Sequence, residues 1–377
     1  MKKKVLIILG RYLPGYKDGG PVRSIINLVD SFHVQFDFHI LTKDRDQGDT
    51  DPYSHILYNE WNTVGNAKVY YAQNEKITKD LIVHLSKPMD VIYVCGVFND
   101  YVFYTLILKM QGRIQQKVVV APMGSFSTGA FQIKSTKKKL YISMFRMLGL
   151  FKNVEWSLTS EMEVRELHQI IKNPKNVVIA EDLPRMYVLN LNELIKEVNS
   201  LNVVFISRVS VKKNLTYAID ILSKVKGNVK LSIYGNIEDS TYWNTCLEKL
   251  ALLPNHISWE YLGEAPSENI LSTFSKYHAF LFPTLSENYG HVIYEALASG
   301  CIPVISNQTP WQDFDAFQCG YVIKLENLNQ FVYTMQTLID MNQIDFDSYR
   351  NRALQYAVNK YHSALQNSGY LEIFETR

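Results

Sequence analysis

The sequence lacks the marks of stapled, metal-clipped and membrane-spanning chains. Its 377 residues include only four cysteines, Cys95, Cys246, Cys301 and Cys319, far apart and without a C-x-x-C pair. That spacing excludes a disulfide framework and a paired-thiolate metal site, and it makes a reducing cytoplasm the expected compartment. No apolar run approaches the roughly 18 residues of a membrane-spanning helix, and residues 5–9 are too short a run for the apolar part of a signal peptide. A charge excess is missing too: Lys+Arg number 39 and Asp+Glu 37, a net +2. A nucleic-acid binder needs a basic surplus to neutralise phosphates, so no nucleic-acid partner is expected. What remains is a chain 47% hydrophobic and 20% charged, with enough apolar material for a large interior and enough length for about two domains.

The apolar pattern sets the fold class. Residues 5–9 form an unbroken apolar run, as expected of a strand buried on both faces of a parallel sheet. Gly15, Gly19 and Gly20 follow, then Pro21 ahead of Ile25, Ile26, Leu28, Val29 and Phe32, whose spacing predicts an amphipathic helix. Runs at 36–41, 69–71, 90–94, 118–121 and 177–180 predict further strands of one open sheet. The pattern restarts with strands at 203–206, 231–234, 257–261, 279–282 and 302–305, alternating with helices at 215–225, near 269–276 and at 291–299. The expected fold is therefore α/β, with two doubly wound Rossmann-like domains, residues 1–186 and 187–361. A polar hinge is expected within 187–200 and a helical tail over 348–377.

In open parallel sheets ligands bind beyond the carboxyl ends of the strands, and four constellations fall there. In the segment Ser286-Glu287-Asn288-Tyr289-Gly290-His291-Val292, running on through Glu295 to Gly300, Gly290 admits a close ligand. The amides of His291 and Val292 open a helix whose dipole favours phosphate. Glu287 and Glu295 would be repelled by that phosphate and suit neutral hydroxyls such as a sugar offers; the plain alternative is two surface glutamates on a solvated helix. Arg208 and Lys213, five apart on the turn after the strand at 203–206, can converge on one diphosphate or form an ordinary solvated turn. Gly19-Gly20 offers backbone amides to a phosphate. Cys95-Gly96 ends the strand at 90–94, and Cys95 alone reads as a small buried residue. The Asp-x-Asp pairs at 44/46, 49/51, 313/315 and 345/347 look like turn chemistry rather than cation ligands, so no metal is expected.

Together these motifs resemble the retaining glycosyltransferases of family 4, which have the GT-B fold, two facing Rossmann-like domains with a cleft between them. The resemblance runs over nearly the whole chain. It rests on Gly19-Gly20, on Arg208 with Lys213-Asn214, on Tyr234-Gly235, and above all on the Glu-x7-Glu segment Glu287 to Glu295 with Ala298-Ser299-Gly300. Arg45-Asp46, Asn59-Glu60-Trp61, the run from Ala121 to Ser127 and Thr309-Pro310-Trp311 resemble a bacterial surface-polysaccharide branch. The resemblance implies a metal-independent enzyme without cofactor, using a nucleotide-diphosphate sugar. Residues 1–186, completed by a helix at about 362–377, would bind the acceptor, and residues 187–361 the donor. Arg208 and Lys213 would hold the diphosphate with Gly19, Gly20, Asn214, Gly235, Asn288 and the amides of Gly290, His291 and Val292. Glu295 would take the ribose, Glu287 the donor sugar, and the loop 262–265 with Glu264 the base. Cys95, Gly124 and Ser125 would lie on the acceptor or sugar side. Two positions depart from the pattern: Cys95 stands where many members have His, and Met123 where many have Arg. Rival readings are an epimerase of the same fold and an inactive nucleotide-sugar-binding module.

Charge is also unevenly spread. Residues 101–154 contain nine Lys or Arg and no Asp or Glu. Within them Lys137, Lys138 and Lys139 precede Leu140, Ile142, Met144, Phe145, Met147 and Leu148, a pattern that suits either a core helix with a lysine start or an interfacial helix on an anionic leaflet. The expectation is a cytoplasmic protein resting on the inner face of the membrane, where a polyprenyl-diphosphate-linked or oligosaccharide acceptor would be met.

Overall fold

The computed structural model describes residues 2–15, 19–127, 135–185, 193–265 and 269–375. They fall into two compact units, one made of Met1–Arg185 with Ser363–Arg377, the other of Met186–His362. The first is built on β1 (Lys3–Ile8), β2 (Phe36–Lys43), β3 (Trp61–Val64), β4 (Ala67–Ala72), β5 (Val91–Cys95), β6 (Lys117–Ala121), β7 (Glu155–Leu158) and β8 (Val177–Ile179), in the order β3-β4-β2-β1-β5-β6-β7-β8. Only β3 runs antiparallel to its neighbour. Val5, Leu6, Ile7 and Ile8 are fully buried, because the two-residue period of a strand sends Val5 and Ile7 into the core on one face and Leu6 and Ile8 into the core on the other. Helices Gly20–Phe32 and Gly369–Glu375 cover the first face, and helices Lys79–Ser86, Asp100–Met110, Ser135–Met147 and Glu161–Ile170 the second.

The second unit has six parallel strands, β9 (Ser200–Ile206), β10 (Asn228–Tyr234), β11 (Ile257–Tyr261), β12 (Ala279–Phe282), β13 (Ile302–Ser306) and β14 (Tyr321–Ile323), ordered β11-β10-β9-β12-β13-β14. The expected α/β class is therefore the observed one, and every strand expected from an apolar run is present. Three further strands, β3, β7 and β14, have no such run. In β7, for instance, Glu155 pairs with Lys117 at 2.8 Å and Ser157 shares a 3.0 Å hydrogen bond with Tyr93, while Trp156 and Leu158 are buried.

Several expected boundaries are corrected. The helix expected at 215–225 ends at Leu222, and the one near 269–276 is the short Ile270–Phe274. The helical tail is two helices, Gln343–Gln366 and Gly369–Glu375. The chain passes so close to β8 at Gly369 that an added Cβ would strike the Ile179 carbonyl oxygen. Of the expected hinge, residues 187–192 lie outside the described residues, and the rest is fastened rather than loose: the buried Lys196 donates to the carbonyls of Ile339 and Met341 at 3.0 and 2.9 Å. No described helix is long and apolar enough to cross a membrane.

The chain leaving β8 is tied to both helices on its face. Asp182 is buried and accepts from the Ser24 hydroxyl at 2.7 Å, with the Tyr370 hydroxyl 3.5 Å away, and Asn27 donates to the Leu183 carbonyl at 2.7 Å. Burial pushes the Asp182 carboxyl up from 3.8 to about 7, against the pull of the Ser24 hydrogen bond. Between these two values the unfolded chain is ionised while the folded one keeps the proton. Stability contributed by this group therefore falls as pH rises through that window, by at most about 4 kcal/mol. Asp182→Asn removes the titration, and its denaturant-derived stability should change less than wild type's between about pH 5 and 7.5. Parallel pH dependences would refute this account of Asp182.

Candidate active site

In the second unit the strand order reverses between β9 and β12, since the strand numbers rise outward from that line on both sides, β9-β10-β11 one way and β12-β13-β14 the other. A reversal of this kind opens a crevice at the carboxyl ends of the two strands, because their loops depart in opposite directions. Two of the candidate residues meet there. Lys213, in the one-turn helix Val211–Lys213 beyond β9, places its Nζ 2.5 Å from Oε1 of Glu287, in the loop beyond β12. Their side chains are only 12% and 10% exposed. The Thr284 hydroxyl adds a 3.2 Å hydrogen bond to the same carboxylate oxygen, and the ammonium lies 5.5 Å over the Phe282 ring.

The two loops are also joined by backbone. Leu285 donates its N–H to the Lys212 carbonyl at 2.9 Å, and the Asn214 side-chain amide (Nδ2) adds a bond to the Pro283 carbonyl at 3.0 Å. Asn214 adopts a left-handed conformation, φ 62°, between the one-turn helix and Leu215–Leu222, as Asn does more readily than most residues. Glu287 is held from the other side by its N–H, which donates to Gln308 beyond β13. Arg208 stands apart from this pair, half exposed and 3.0 Å from Glu238 in the loop beyond β10. Those two loops zip together through Val209 N–H to Asn236 and Glu238 N–H to Val209. The two cations thus have different carboxylate partners, Glu287 for Lys213 and Glu238 for Arg208.

Gly290, φ 82°, caps the helix His291–Ala298, so the amides of His291 and Val292 open that helix. The Tyr289 and His291 rings lie 4.8 Å apart, and the Trp311 indole N–H donates to the Tyr289 carbonyl. Glu295, on the second turn, is 2% exposed. The alternative of two solvated surface glutamates is therefore wrong for both Glu287 and Glu295. Gly263 accepts from the Gly235 N–H at 2.7 Å, which brings the loop with exposed Glu264 beside that of β10. Asn288 lies in the same loop as Glu287, partly buried.

The first unit reverses its strand order between β1 and β5. Gly19 (φ 65°) and Gly20 begin the helix beyond β1, with open space where side chains would be. Cys95 ends β5 and is 3% exposed; burial pushes its thiol well up, so it acts as core packing beneath the edge. Beyond β6, Met123 (φ 51°) and Gly124 (φ 75°) make a left-handed turn, and Ser125 folds back onto the Pro122 carbonyl. That turn is positioned by a residue absent from the sequence-derived candidates. Glu163 is 1% exposed and accepts the Gly124 N–H at 2.7 Å through one oxygen and the Thr159 N–H at 2.8 Å through the other. The signal was present as Ser160-x-x-Glu163, a capping box in which Ser160 caps the helix Glu161–Ile170 while the glutamate reaches elsewhere.

The Asp-x-Asp stretch at 44/46 is local structure: Asp44 takes the N–H groups of Asn74 and Glu75 and the Arg45 side chain, and Asp46 takes the N–H of Gln47. Among the described residues no group of three or more His, Cys, Asp or Glu is placed to hold a metal ion. At Gly235, φ 142°, an added Cβ would run into the Ser207 carbonyl next to Arg208. Gly235→Ala should therefore lower the melting temperature by several degrees, a cost of about 2 kcal/mol or more from backbone strain and displacement. An unchanged melting temperature would show that the Ser207–Arg208 turn is not pinned there.

No curated protein matches the sequence. Solved structures resemble the chain over its whole length. HepE of Anabaena, solved with UDP and glucose, superposes with a TM-score of 0.69 at 14% identity over 99% of both chains. WaaG, a glycosyltransferase involved in lipopolysaccharide biosynthesis, gives 0.67 at 13% identity over 99% of this chain and 100% of its own. The trehalose-6-phosphate synthase OtsA gives 0.69 at 9% identity over 100% and 99%. The chain thus has the GT-B fold of these glycosyltransferases, with two parallel-sheet α/β domains, and residues 191–359, most of the second unit, match the family model of glycosyl transferases group 1.

Proposed function

We propose that the protein is a retaining glycosyltransferase. It moves a sugar from a nucleotide-diphosphate sugar to a glycan acceptor, in bacterial capsule, O-antigen or exopolysaccharide synthesis. The observation that carries the reading is the Lys213–Glu287 pair at the strand-order reversal of the unit that matches glycosyl transferases group 1. Binding of UDP and glucose by HepE, a structure of the same fold, supports a nucleotide-sugar donor.

In this reading the second unit takes the donor. Lys213 gives one of its three N–H donors to Glu287 and keeps two for the diphosphate; Arg208 and the amides of Gly290 to Val292 add to its stabilisation. Glu295 takes the ribose hydroxyls, Glu287 the sugar, and the loop 262–265 the base. The bond from the anomeric carbon to the diphosphate oxygen breaks, and the leaving diphosphate takes the electron pair. That diphosphate then accepts the proton of the acceptor hydroxyl, whose oxygen bonds to the same face of the anomeric carbon. No covalent enzyme intermediate and no metal is required, because side chains and helix amides neutralise the leaving group. The acceptor, oligosaccharide or polyprenyl-diphosphate-linked, belongs to the first unit, beside the Gly124-Ser125 turn and the backbone at Cys95.

The test is acceptor-dependent release of nucleoside diphosphate from a panel of nucleotide sugars with a lipid-linked acceptor, in EDTA. Glu287→Gln should cut turnover by roughly a hundredfold and change donor affinity little, since it acts as charge develops on the sugar. Arg208→Ala should weaken both donor binding and rate. Donor binding without release in wild type would make the chain a binding module. Activity lost in EDTA and restored by magnesium or manganese would overturn metal independence.

Membrane contact is the second part of the proposal. The helix Ser135–Met147 buries Ile142 and Phe145 but leaves Leu140 73% and Met147 80% exposed, beside exposed Lys137, Lys139 and Arg146. A core role accounts for the inner side of this helix; the outer side has the basic and apolar mixture of an interfacial one. Wild type should co-sediment with anionic vesicles in a salt-sensitive manner, and a variant with Lys137, Lys138 and Lys139 changed to Glu should not. Equal sedimentation of the two would remove the membrane from the proposal.

A further inference from the structure

The second unit carries a recess well away from Lys213 and Glu287. The helix Leu328–Asp340 starts beyond the carboxyl end of β14 and runs back, so its last turn reaches the amino edge of the sheet. Asn199, just ahead of β9, donates there to the Ile339 carbonyl at 2.9 Å. Between this helix and Gln343–Gln366 lies an open groove of about 650 Å³, with Tyr321 of β14 in its wall. Each helix gives it one stripe at i, i+4, i+7 spacing: Tyr333 and Asp340 lie on one, Asp345, Tyr349 and Arg352 on the other.

The groove is aromatic and polar by turns. The Tyr349 ring stacks on Tyr321 with centroids 5.6 Å apart and planes at 19°, and the Arg352 guanidinium lies 4.5 Å from its centroid. Arg352 is in turn fixed by Nε to the Gln318 carbonyl at 2.8 Å and by Nη1 to the Ser348 hydroxyl at 2.6 Å. One wall is thus rigid, while Tyr333 on the other is 69% exposed. Acceptor and donor capacity remains: Asp340 accepts the Gln336 amide, Asp345 accepts the Asn342 amide through Oδ2, and Arg352 has a third nitrogen, Nη2, beside the bonded Nε and Nη1.

Asp340 and Asp345 stand against Arg352 in the lining and against Lys196 behind Met341, so the groove has no cationic excess to draw a phosphate- or carboxylate-bearing ligand. A neutral polyol suits the groove: its C–H faces pack on an aromatic ring, and its hydroxyls both donate to carboxylates and accept from the guanidinium. From this we infer that the groove is a second, non-catalytic binding site for a neutral glycan, with a pyranose ring on Tyr333 and its hydroxyls on Asp340, Asp345 and Arg352. The ligand class follows from the groove; that the glycan is the one the enzyme extends rests on the glycosyltransferase reading above.

Saturation-transfer NMR on the full chain tests it, with maltoheptaose, cellotetraose, mannotetraose and a dextran oligomer as neutral probes and oligogalacturonate as the anionic one. At least one neutral probe should bind wild type at millimolar concentration. Tyr333→Ala should weaken that binding roughly tenfold and Tyr333→Phe should retain it, with UDP binding and melting temperature unchanged in both. The inference is overturned if no neutral probe binds, if Tyr333→Ala binds as wild type does, or if oligogalacturonate is preferred. Failure of glycosyl transfer itself would show in nucleotide release, which this measurement does not use.

Discussion

A single ion pair links the two halves of the second unit's sheet at its ligand edge. Lys213 leaves β9 and Glu287 leaves β12, the strands on either side of the reversal in order, and both side chains are about nine-tenths covered. Removing one partner of such a pair leaves the other buried and uncompensated, which costs about 3–5 kcal/mol. The loops beyond β9, β12 and β13 are joined around it by the N–H groups of Leu285 and Glu287 and by the Asn214 side-chain amide. The same pair fixes the Lys213 ammonium against a carboxylate at the carboxyl edge of the sheet, so the position of that cation is set by the fold rather than by a ligand.

The first unit solves a related problem with a lone carboxylate. Glu163 is buried and held by N–H groups from Gly124 and Thr159 and by the Thr159 hydroxyl. Burial raises its carboxyl and those hydrogen bonds lower it, with burial the larger. The effect is to fix a left-handed turn at Met123-Gly124 beyond the carboxyl end of β6.

The sequence was most legible where burial is complete. Strands such as β1, β5 and β12 sit between two layers of helix and so read as unbroken apolar runs. Strand β3 was not visible because it is an edge, alternately exposed, and β7 because Glu155 and Ser157 find partners on neighbouring strands that no local pattern announces. The site divides the same way. Glycines, the helix start at Gly290 and the spacing of Glu287 and Glu295 are local features and were readable. The pairing of Lys213 with Glu287, of Arg208 with Glu238 and of Glu163 with Gly124 joins residues 74, 30 and 39 positions apart, and only the strand order brings them together.

The last helix, Gly369–Glu375, belongs to the unit that opens the chain. Tyr370, Ile373 and Phe374 are essentially unexposed and pack with Phe36, Phe38 and Tyr93. During synthesis from the amino end, the helix Gly20–Phe32 can cover only its share of the face formed by β1, β2 and β5, and the part around Phe36, Phe38 and Tyr93 waits for Gly369–Glu375 while the whole of the second unit is made. Part of the first-made core is thus completed after the second unit, and a chain that stopped ahead of Gly369 would leave that part open.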